Sequence, residues 1–267
     1  MSQRKHAPVF VIGCHRSGTA LLYDTLLSSG GFPQFHASNA LYTTLLPKCG
    51  DLRSRRNRER LMQFWLRSKQ FRRSGLVAED IHRRVLEECR TGGDFLHLTM
   101  GEMARREGAE RWAVYDPDNI LFMRRVKREV PDALFVHIVR DGRDAAISLR
   151  KAGSARPLPW DRKRALLSAG LNWKWTVRKG RHDAQLFPGD YMEIRYEELV
   201  ERPAQALAPL AEFLQHDLDS TAFSRIASDG SPRPIPFGKT KPPAEPSARS
   251  IAGKPDFPPK RLPPWKA

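Results

Sequence analysis

A short loop near the amino terminus combines glycines, an arginine and hydroxyl side chains in a spacing that suits anion binding. The residues concerned are Gly13, Arg16, Ser17, Gly18, Thr19 and Ala20. Glycine lets a backbone turn sharply and approach a ligand closely, and arginine supplies a fixed cation. A helical pattern follows, so unpaired N–H groups and the positive end of a helix dipole would converge there. The loop predicts a site for a phosphate-like group, although an ordinary strand-to-helix turn has a similar pattern.

This loop differs at two positions from the phosphate-binding loop of nucleoside-triphosphate enzymes. Gly13 and Gly18 have the spacing of G-x-x-x-x-G-K-[ST], but Thr19 replaces the lysine and Ala20 replaces the hydroxyl that binds Mg²⁺. The cation is instead Arg16, inside the loop. The differences argue against a P-loop kinase, which stays as an alternative, and favour an anion site that lacks the usual Mg²⁺ ligand.

A second arginine stands at the end of the clearest strand pattern in the chain. Residues 134–139 are almost entirely apolar, Arg140 follows them, and Ser148 lies eight positions further in a helical pattern. The corresponding strand of a phosphotransferase ends in an acidic Mg²⁺ ligand, whereas an arginine offers a planar fork of donors to a phosphate. Arg140 and Ser148 therefore predict a second phosphate site. The alternatives are an ion pair of Arg140 with Asp141 or Asp144 and a surface position for Ser148.

The elements that would position both groups alternate between strands and helices. Strand patterns occur at residues 9–12, 111–115, 134–139 and 191–196, with helical patterns between them. This alternation predicts an α/β fold with a parallel β-sheet flanked by helices, in which ligands bind at the carboxyl ends of the strands. Both candidate anion groups stand at such ends.

Together, the two groups resemble the sulfotransferases that use 3′-phosphoadenosine 5′-phosphosulfate (PAPS), in particular the bacterial type with a P-loop-like fold. The family's loop reads roughly (K/R)-S-G-T-(S/T), which residues 16–19 match and from which Ala20 departs. The pattern strand-Arg-x-x-R-D-x₃-Ser, from Arg140 to Ser148, matches the family's 3′-phosphate site. The resemblance covers residues 9–31 and 111–214.

The resemblance implies a role for each residue of the two groups. Arg16 and the loop from Gly13 to Ala20 would bind the 5′-phosphosulfate of PAPS, and Arg16 would stabilise the charge that builds on the bridging oxygen. Arg140 and Ser148 would hold the 3′-phosphate. Tyr196, which precedes an acidic pair, would contact the adenine unless it only packs in the core. The implied reaction moves a sulfuryl group to a hydroxyl or amine and uses no metal.

The group that takes the proton from the acceptor is less clearly marked. Family members often carry Lys-Thr after the second strand, but residues 114–117 read Val-Tyr-Asp-Pro, so the expected lysine is missing. Asp116 follows the end of that strand, and His36 lies in the loop after the first helix with a side chain of suitable ordinary pKa. Both are candidates, as is a different residue. Asp116 would otherwise cap a helix, and His36 would otherwise be a packed loop residue.

Length and composition suggest one α/β domain at residues 1–228, with a helical acceptor-side segment at about 32–110. A proline-rich basic tail follows at 229–267. The three cysteines and eight histidines form no metal-ligand or disulfide pattern, and no apolar run approaches the length of a membrane span. We therefore expect a cytoplasmic protein without a transmembrane segment.

The net charge of +16 implies an anionic partner. A small-molecule, glycan or lipid acceptor fits this charge, and an acidic acceptor is one option. The arginines between Arg53 and Arg73 would then form an attractive rim, unless they are only a solvated helix face. We do not expect nucleic acid as the partner. A non-catalytic polyanion-binding protein on a degenerate nucleotide-binding fold remains the other alternative, and the sequence predicts no oligomeric state.

Overall fold

Four parallel strands form the centre of the computed structural model, which describes residues 4–152 and 165–228. The strands are β1 (Val9–Gly13), β2 (Ala113–Tyr115), β3 (Leu134–Val139) and β4 (Tyr191–Arg195), in the spatial order β2-β1-β3-β4. Val9 pairs with Ala113 on one side of β1 and with Leu134 on the other. Every residue of β1 and β3 is buried, as expected for central strands of a parallel sheet that is covered on both faces. The predicted α/β fold with a parallel sheet is confirmed.

Helices surround this sheet. Those of the described ranges are α1 (Thr19–Ser28), α2 (Leu46–Cys49), α3 (Arg55–Leu66), α4 (Lys69–Ser74), α5 (Ala78–Glu88), α6 (Gly92–Glu107), α7 (Met123–Glu129), α8 (Gly142–Lys151), α9 (Ala165–Ala184), α10 (Tyr196–Glu201), α11 (Pro203–Leu214) and α12 (Ser220–Ser228). Short 3₁₀ turns occur at Arg4–His6, Pro117–Leu121 and Pro188–Asp190, and a π-helical turn occurs at Leu41–Leu45.

The two faces of the sheet pack against different helices. Phe10 and Ile12 of β1 face a core formed with α3, α5 and α6, whereas Val9 and Val11 face a second core formed with α1 and α11. Successive side chains of a strand point to opposite faces, so one short strand anchors both layers. Leu22 of α1 is fully buried in the second core. This packing fixes the helix that starts directly after the glycine loop.

The strand order creates a switch point beside β1. The chain passes from β1 to β2 on one side of it and returns to β3 on the other side. Connections that leave neighbouring strands in opposite directions open a crevice at the carboxyl ends of those strands. Gly13 ends β1 and Val139 ends β3. The glycine loop and Arg140 therefore flank this crevice.

The arginine-rich stretch between Arg53 and Arg73 contains the helices α3 and α4. Arg58 is only 6% exposed, and its guanidinium donates to the carbonyls of Leu52, Arg53 and Leu86 at 2.7 to 3.0 Å. Arg55, by contrast, is largely exposed. One arginine of the stretch therefore holds the segment between α2 and α5 together, and the solvated-face interpretation does not apply to it.

The proline-rich segment expected at 229–267 lies outside the described residues. Within residues 4–152 and 165–228, none of the helices combines the length and the apolar character needed to cross a lipid bilayer.

Candidate functional site

The glycine loop has a backbone conformation that is uncommon for residues with side chains. Arg16 lies in the left-handed region at φ 69°, and Gly18 follows at φ 96°. The N–H of Ser17 donates to the carbonyl of Cys14 at 3.2 Å, which closes the turn. Gly18 is the N-cap of α1 and provides no side-chain cap, so the first N–H groups of the helix from Thr19 onward are left for another acceptor. An anion is the acceptor that such a helix start favours.

Both glycines of the loop stand where a side chain would collide with a neighbour. A Cβ at Gly13 would lie 2.6 Å from the carbonyl oxygen of Ile138 in β3. A Cβ at Gly18 would lie 2.5 Å from the ring of Tyr196, the first residue of α10. The loop is therefore in close contact with the ends of both β3 and β4, and this contact requires glycine.

Arg140, the residue after β3, reaches the same place. Its guanidinium donates to the carbonyl of Arg16 at 3.3 Å and lies 4.5 Å above the ring centre of Tyr196. The Arg140 Nε atom is buried and has no hydrogen-bond partner among the described residues. Asp141 pairs with Arg143, so the alternative ion pair of Arg140 with Asp141 does not form. Arg140 thus retains donor capacity for a ligand.

The side chain of Ser148 connects the two predicted groups. Its hydroxyl, on α8, accepts a hydrogen bond from Arg16 Nε at 3.1 Å. Ser17, in the loop, is completely buried, and its hydroxyl has no partner among the described residues. Burying an unpaired hydroxyl costs free energy unless a ligand or water satisfies it. These contacts bring Arg16, Ser17, Arg140 and Ser148 together in one crevice with a surplus of donors.

Asp116 lies at the end of β2 and is 4% exposed. One carboxyl oxygen accepts from the N–H of Asp118 at 3.2 Å, and the other accepts from the hydroxyl of Thr43 at 3.3 Å. Burial, followed by the charge of Asp118, raises the pKa of Asp116 to about 6. Asp116 does cap the 3₁₀ turn that begins at Pro117. It is therefore a carboxyl group with a proton affinity suited to acid–base chemistry, but both oxygens already accept hydrogen bonds.

His36 lies in the connection between α1 and the π-helical turn. Its Nδ1 is 3.1 Å from a carboxyl oxygen of Asp24 in α1. Its Nε2 is buried without a hydrogen-bond partner among the described residues. His36 is therefore paired with a carboxyl group as well as packed in the loop, and its Nε2 is shielded from solvent.

The structure adds a second histidine that sequence reasoning missed. His15 precedes Arg16 in the loop, and its Nε2 is 3.0 Å from a carboxyl oxygen of Asp118. This hydrogen bond, opposed by partial burial and by Arg16, raises the pKa of His15. His15 follows the end of β1 and Asp118 follows the end of β2, and the sequence predicts both of these strands. Cys14 is not a candidate nucleophile, because burial raises the pKa of its thiol to about 12.

In the part of the chain that the structure describes, no group of three or more His, Cys, Asp or Glu residues could hold a metal ion. The positive potential at the crevice comes from the side chains of Arg16 and Arg140 and from the backbone N–H groups at the start of α1.

Solved structures share this architecture. The sulfotransferase domain of the Synechococcus PCC 7002 olefin synthase superposes with a TM-score of 0.55 at 18% identity, covering 81% of this chain and 76% of that domain. The sulfotransferase domain from the curacin biosynthetic pathway gives a TM-score of 0.51 at 15% identity, with coverage of 81% and 76%. At these identities the similarity shows a common fold.

Comparisons of the amino-acid sequence identify the family as well as the fold. A Caenorhabditis elegans protein provisionally named as a protein-tyrosine sulfotransferase is 28% identical over 110 residues, 40% of this chain. The match spans 41% of the length of that relative. The sequence profile described as the Sulfotransferase family matches residues 8–220, which include the glycine loop, Arg140 and Ser148. This match extends over most of the 267 residues, and the chain therefore belongs to the sulfotransferase family.

Proposed function

We propose that this protein transfers a sulfuryl group from PAPS to a hydroxyl or amine of an acceptor. The observation that carries the proposal is the convergence of Arg16, Arg140 and Ser148 in the crevice between β1 and β3. PAPS has a 5′-phosphosulfate and a nearly dianionic 3′-phosphate, so it needs two cationic groups a short distance apart. The crevice offers two arginines that are in contact: Arg140 donates to the carbonyl of Arg16, and the Arg16 side chain donates to the Ser148 hydroxyl.

The residues present fit this donor in three respects. Arg140 Nε and the Ser17 hydroxyl are buried without partners in residues 4–152 and 165–228, so a ligand that accepts hydrogen bonds would satisfy them. The uncapped start of α1 favours an anion beside the loop. The absence of a side chain at Gly18 lets the backbone and the Tyr196 ring lie in contact at the crevice.

Within this proposal, each residue has a defined task. Arg16 and the N–H groups of the loop hold the 5′-phosphosulfate and stabilise charge on the oxygen that leaves sulfur. Arg140 and Ser148 bind the 3′-phosphate and fix the register of the nucleotide. Tyr196, whose ring contacts both Gly18 and Arg140, is proposed to contact the adenine.

Sulfuryl transfer also releases a proton from the acceptor. Asp116 and His36 are the groups that the sequence proposes for this proton, and the raised pKa of Asp116 supports it as a base near neutral pH. The acceptor itself is proposed only as a class, a hydroxyl or amine on a small molecule, glycan or lipid. The name of the Caenorhabditis elegans relative adds the phenolic hydroxyl of tyrosine to that class.

Calorimetric titration with three ligands tests the proposal. Adenosine 3′,5′-bisphosphate, the product of PAPS, should bind with 1:1 stoichiometry, and ATP with Mg²⁺ should bind at least about tenfold more weakly because it lacks the 3′-phosphate. A single-stranded oligonucleotide should bind only weakly, with an affinity that falls steeply as salt is added. Preferential binding of ATP with Mg²⁺ would instead support a kinase. Preferential binding of the oligonucleotide would support a polyanion-binding protein.

A further inference from the structure

Three carboxylate or imidazole groups near the crevice differ in their access to a substrate. The Asp116 carboxyl is 4% exposed and both oxygens accept hydrogen bonds from the protein. His36 has one nitrogen bonded to Asp24 and the other buried. The side chain of His15 is 46% exposed and directly precedes Arg16. His15 is therefore the candidate of the three that an acceptor can reach without a rearrangement of the protein.

The contact between His15 and Asp118 fixes the role of each ring nitrogen. A carboxylate only accepts hydrogen bonds, so Nε2 of His15 carries the proton that is shared with Asp118 at 3.0 Å. In the neutral ring, Nδ1 is then the atom with a free lone pair. No hydrogen bond engages Nδ1 within the described ranges of the chain. An aspartate that orients an imidazole in this way presents its other nitrogen as a base.

The geometry points to His15 as the catalytic residue that takes the proton from the acceptor, with Asp118 as the residue that positions it. This inference rests on the proposed sulfuryl transfer and names a group for its proton step. His15 lies in the same loop as Arg16, which is proposed to hold the phosphosulfate. On this inference the acceptor approaches the sulfur from the side of the loop that faces Asp118, where the imidazole lies.

The proposed step is balanced in atoms and electrons. The acceptor oxygen or nitrogen forms a bond to sulfur, and the bond from sulfur to the bridging oxygen breaks. The electron pair of that bond remains on the 5′-phosphate, which leaves as adenosine 3′,5′-bisphosphate. The acceptor proton moves to Nδ1 of His15, and the resulting imidazolium is stabilised by Asp118 and later loses the proton to solvent.

The charges around the imidazole predict the pH dependence. Asp118 raises the pKa of His15 through its hydrogen bond and its charge, and Asp116 raises it further, whereas burial and the neighbouring Arg16 lower it. The net result is a pKa above the ordinary value of 6.5. Because only the neutral ring accepts a proton, the rate should rise with pH through this raised pKa and then level off.

The test measures the pH profile of adenosine 3′,5′-bisphosphate release from saturating PAPS, with water alone and with 2-naphthol as acceptors. His15→Gln should lower kcat by roughly 10²–10⁴-fold and remove the rising limb of the profile. Asp118→Asn should keep part of the activity and shift that limb to lower pH, which loss of a merely structural contact would not do. His6→Gln is the matched control, since the His6 ring bonds to the Glu110 carbonyl at the opposite end of the sheet.

A second measurement does not depend on turnover. Nuclear magnetic resonance titration of labelled histidines, with adenosine 3′,5′-bisphosphate bound, should give His15 a pKa above 6.5 that falls in Asp118→Asn. Any of three results would overturn the inference. The first is a His15 pKa at or below 6.5, and the second is a His15→Gln variant with the native rate and pH profile. The third is a rising limb that is lost in Asp116→Asn or in His36→Gln but kept in His15→Gln. Nucleotide affinity separates the two proposals: native protein that does not bind the bisphosphate rejects the sulfotransferase function as well. Native-like binding of the bisphosphate by His15→Gln and Asp118→Asn shows that both variants are folded.

Discussion

Arginines at opposite ends of the same sheet have different partners. Arg111 precedes β2 at the amino ends of the strands, is 2% exposed, and donates to the carbonyls of Ala7 and Leu214 at 2.8 Å each. Burial lowers the pKa of Arg111 to about 10. At the carboxyl ends, the side chains of Arg16 and Arg140 each make one hydrogen bond to another described residue.

The difference shows how one side-chain type is assigned either to stability or to binding. Arg111 joins the chain before β1 to the end of α11 through two neutral carbonyl groups, and its Nη2 is buried without a hydrogen-bond partner among the described residues. Arg16 and Arg140 face a crevice, and among the described residues one carbonyl, that of Arg16, accepts a hydrogen bond from Arg140, and none accepts from the Arg16 side chain. The number of carbonyl partners, rather than burial alone, separates the structural arginine from those proposed to bind PAPS.

The largest expected effect follows from removing the structural arginine. Arg111→Ala should lower the free energy of unfolding by about 3–5 kcal/mol, because two buried carbonyls lose their donors and a cavity remains. Urea denaturation measures this loss. Arg55→Ala, at an exposed position of α3, is the control and should change stability by less than about 0.5 kcal/mol. If Arg111→Ala lowers the free energy of unfolding by less than about 1 kcal/mol, Arg111 is not a structural arginine and the difference from Arg16 and Arg140 disappears.

The next effect should appear in catalysis and leave stability almost unchanged. Arg16→Ala should reduce kcat for sulfuryl transfer from PAPS by about 10²–10³-fold, the usual effect of losing one electrostatic donor at the reacting group. Its free energy of unfolding should stay within about 0.5 kcal/mol of the native value. Transfer of radiolabelled sulfate measures the first quantity and urea denaturation the second. Near-native turnover would reject the proposed role of the loop.

A smaller effect, on nucleotide affinity, should distinguish Arg140 from Arg16. The native protein should prefer adenosine 3′,5′-bisphosphate to 5′-AMP, because Arg140 and Ser148 each contribute roughly 1.5–3 kcal/mol to the bound 3′-phosphate. Arg140→Ala should weaken bisphosphate binding by about 10–100-fold and leave 5′-AMP binding nearly unchanged. Calorimetry with both nucleotides checks this. Equal native affinity for the two would contradict the 3′-phosphate site.

The sequence predicted the ends of the strands better than the partners of individual side chains. Gly13, Arg16 and Arg140 follow directly from short local patterns, because a strand, a turn and a helix start are each encoded within a few residues. The tasks of Arg58 and Arg111 could not be predicted in this way. Their partners are backbone carbonyls, several of them in distant segments, and a carbonyl has no sequence signature.

The pair formed by His15 and Asp118 is an intermediate case. The two residues are 103 positions apart, yet each follows a strand that the sequence predicts, and the strands are neighbours in the sheet. The sequence does not give the order of the strands in the sheet, and without that order the contact between His15 and Asp118 cannot be predicted. Asp116 was found because it directly follows its strand, whereas the raised pKa of its carboxyl depends on burial that only the folded structure defines.

The backbone of Gly18 and the guanidinium of Arg140 both contact the ring of Tyr196. The ring is thus a shared support for the loop that carries Arg16 and for the arginine that donates to the Arg16 carbonyl. A methyl group added at position 18 would lie 2.5 Å from this ring, so the ring would have to move and would no longer support the guanidinium in the same place. The arrangement of both halves of the proposed nucleotide site therefore depends on a residue that has no side chain of its own.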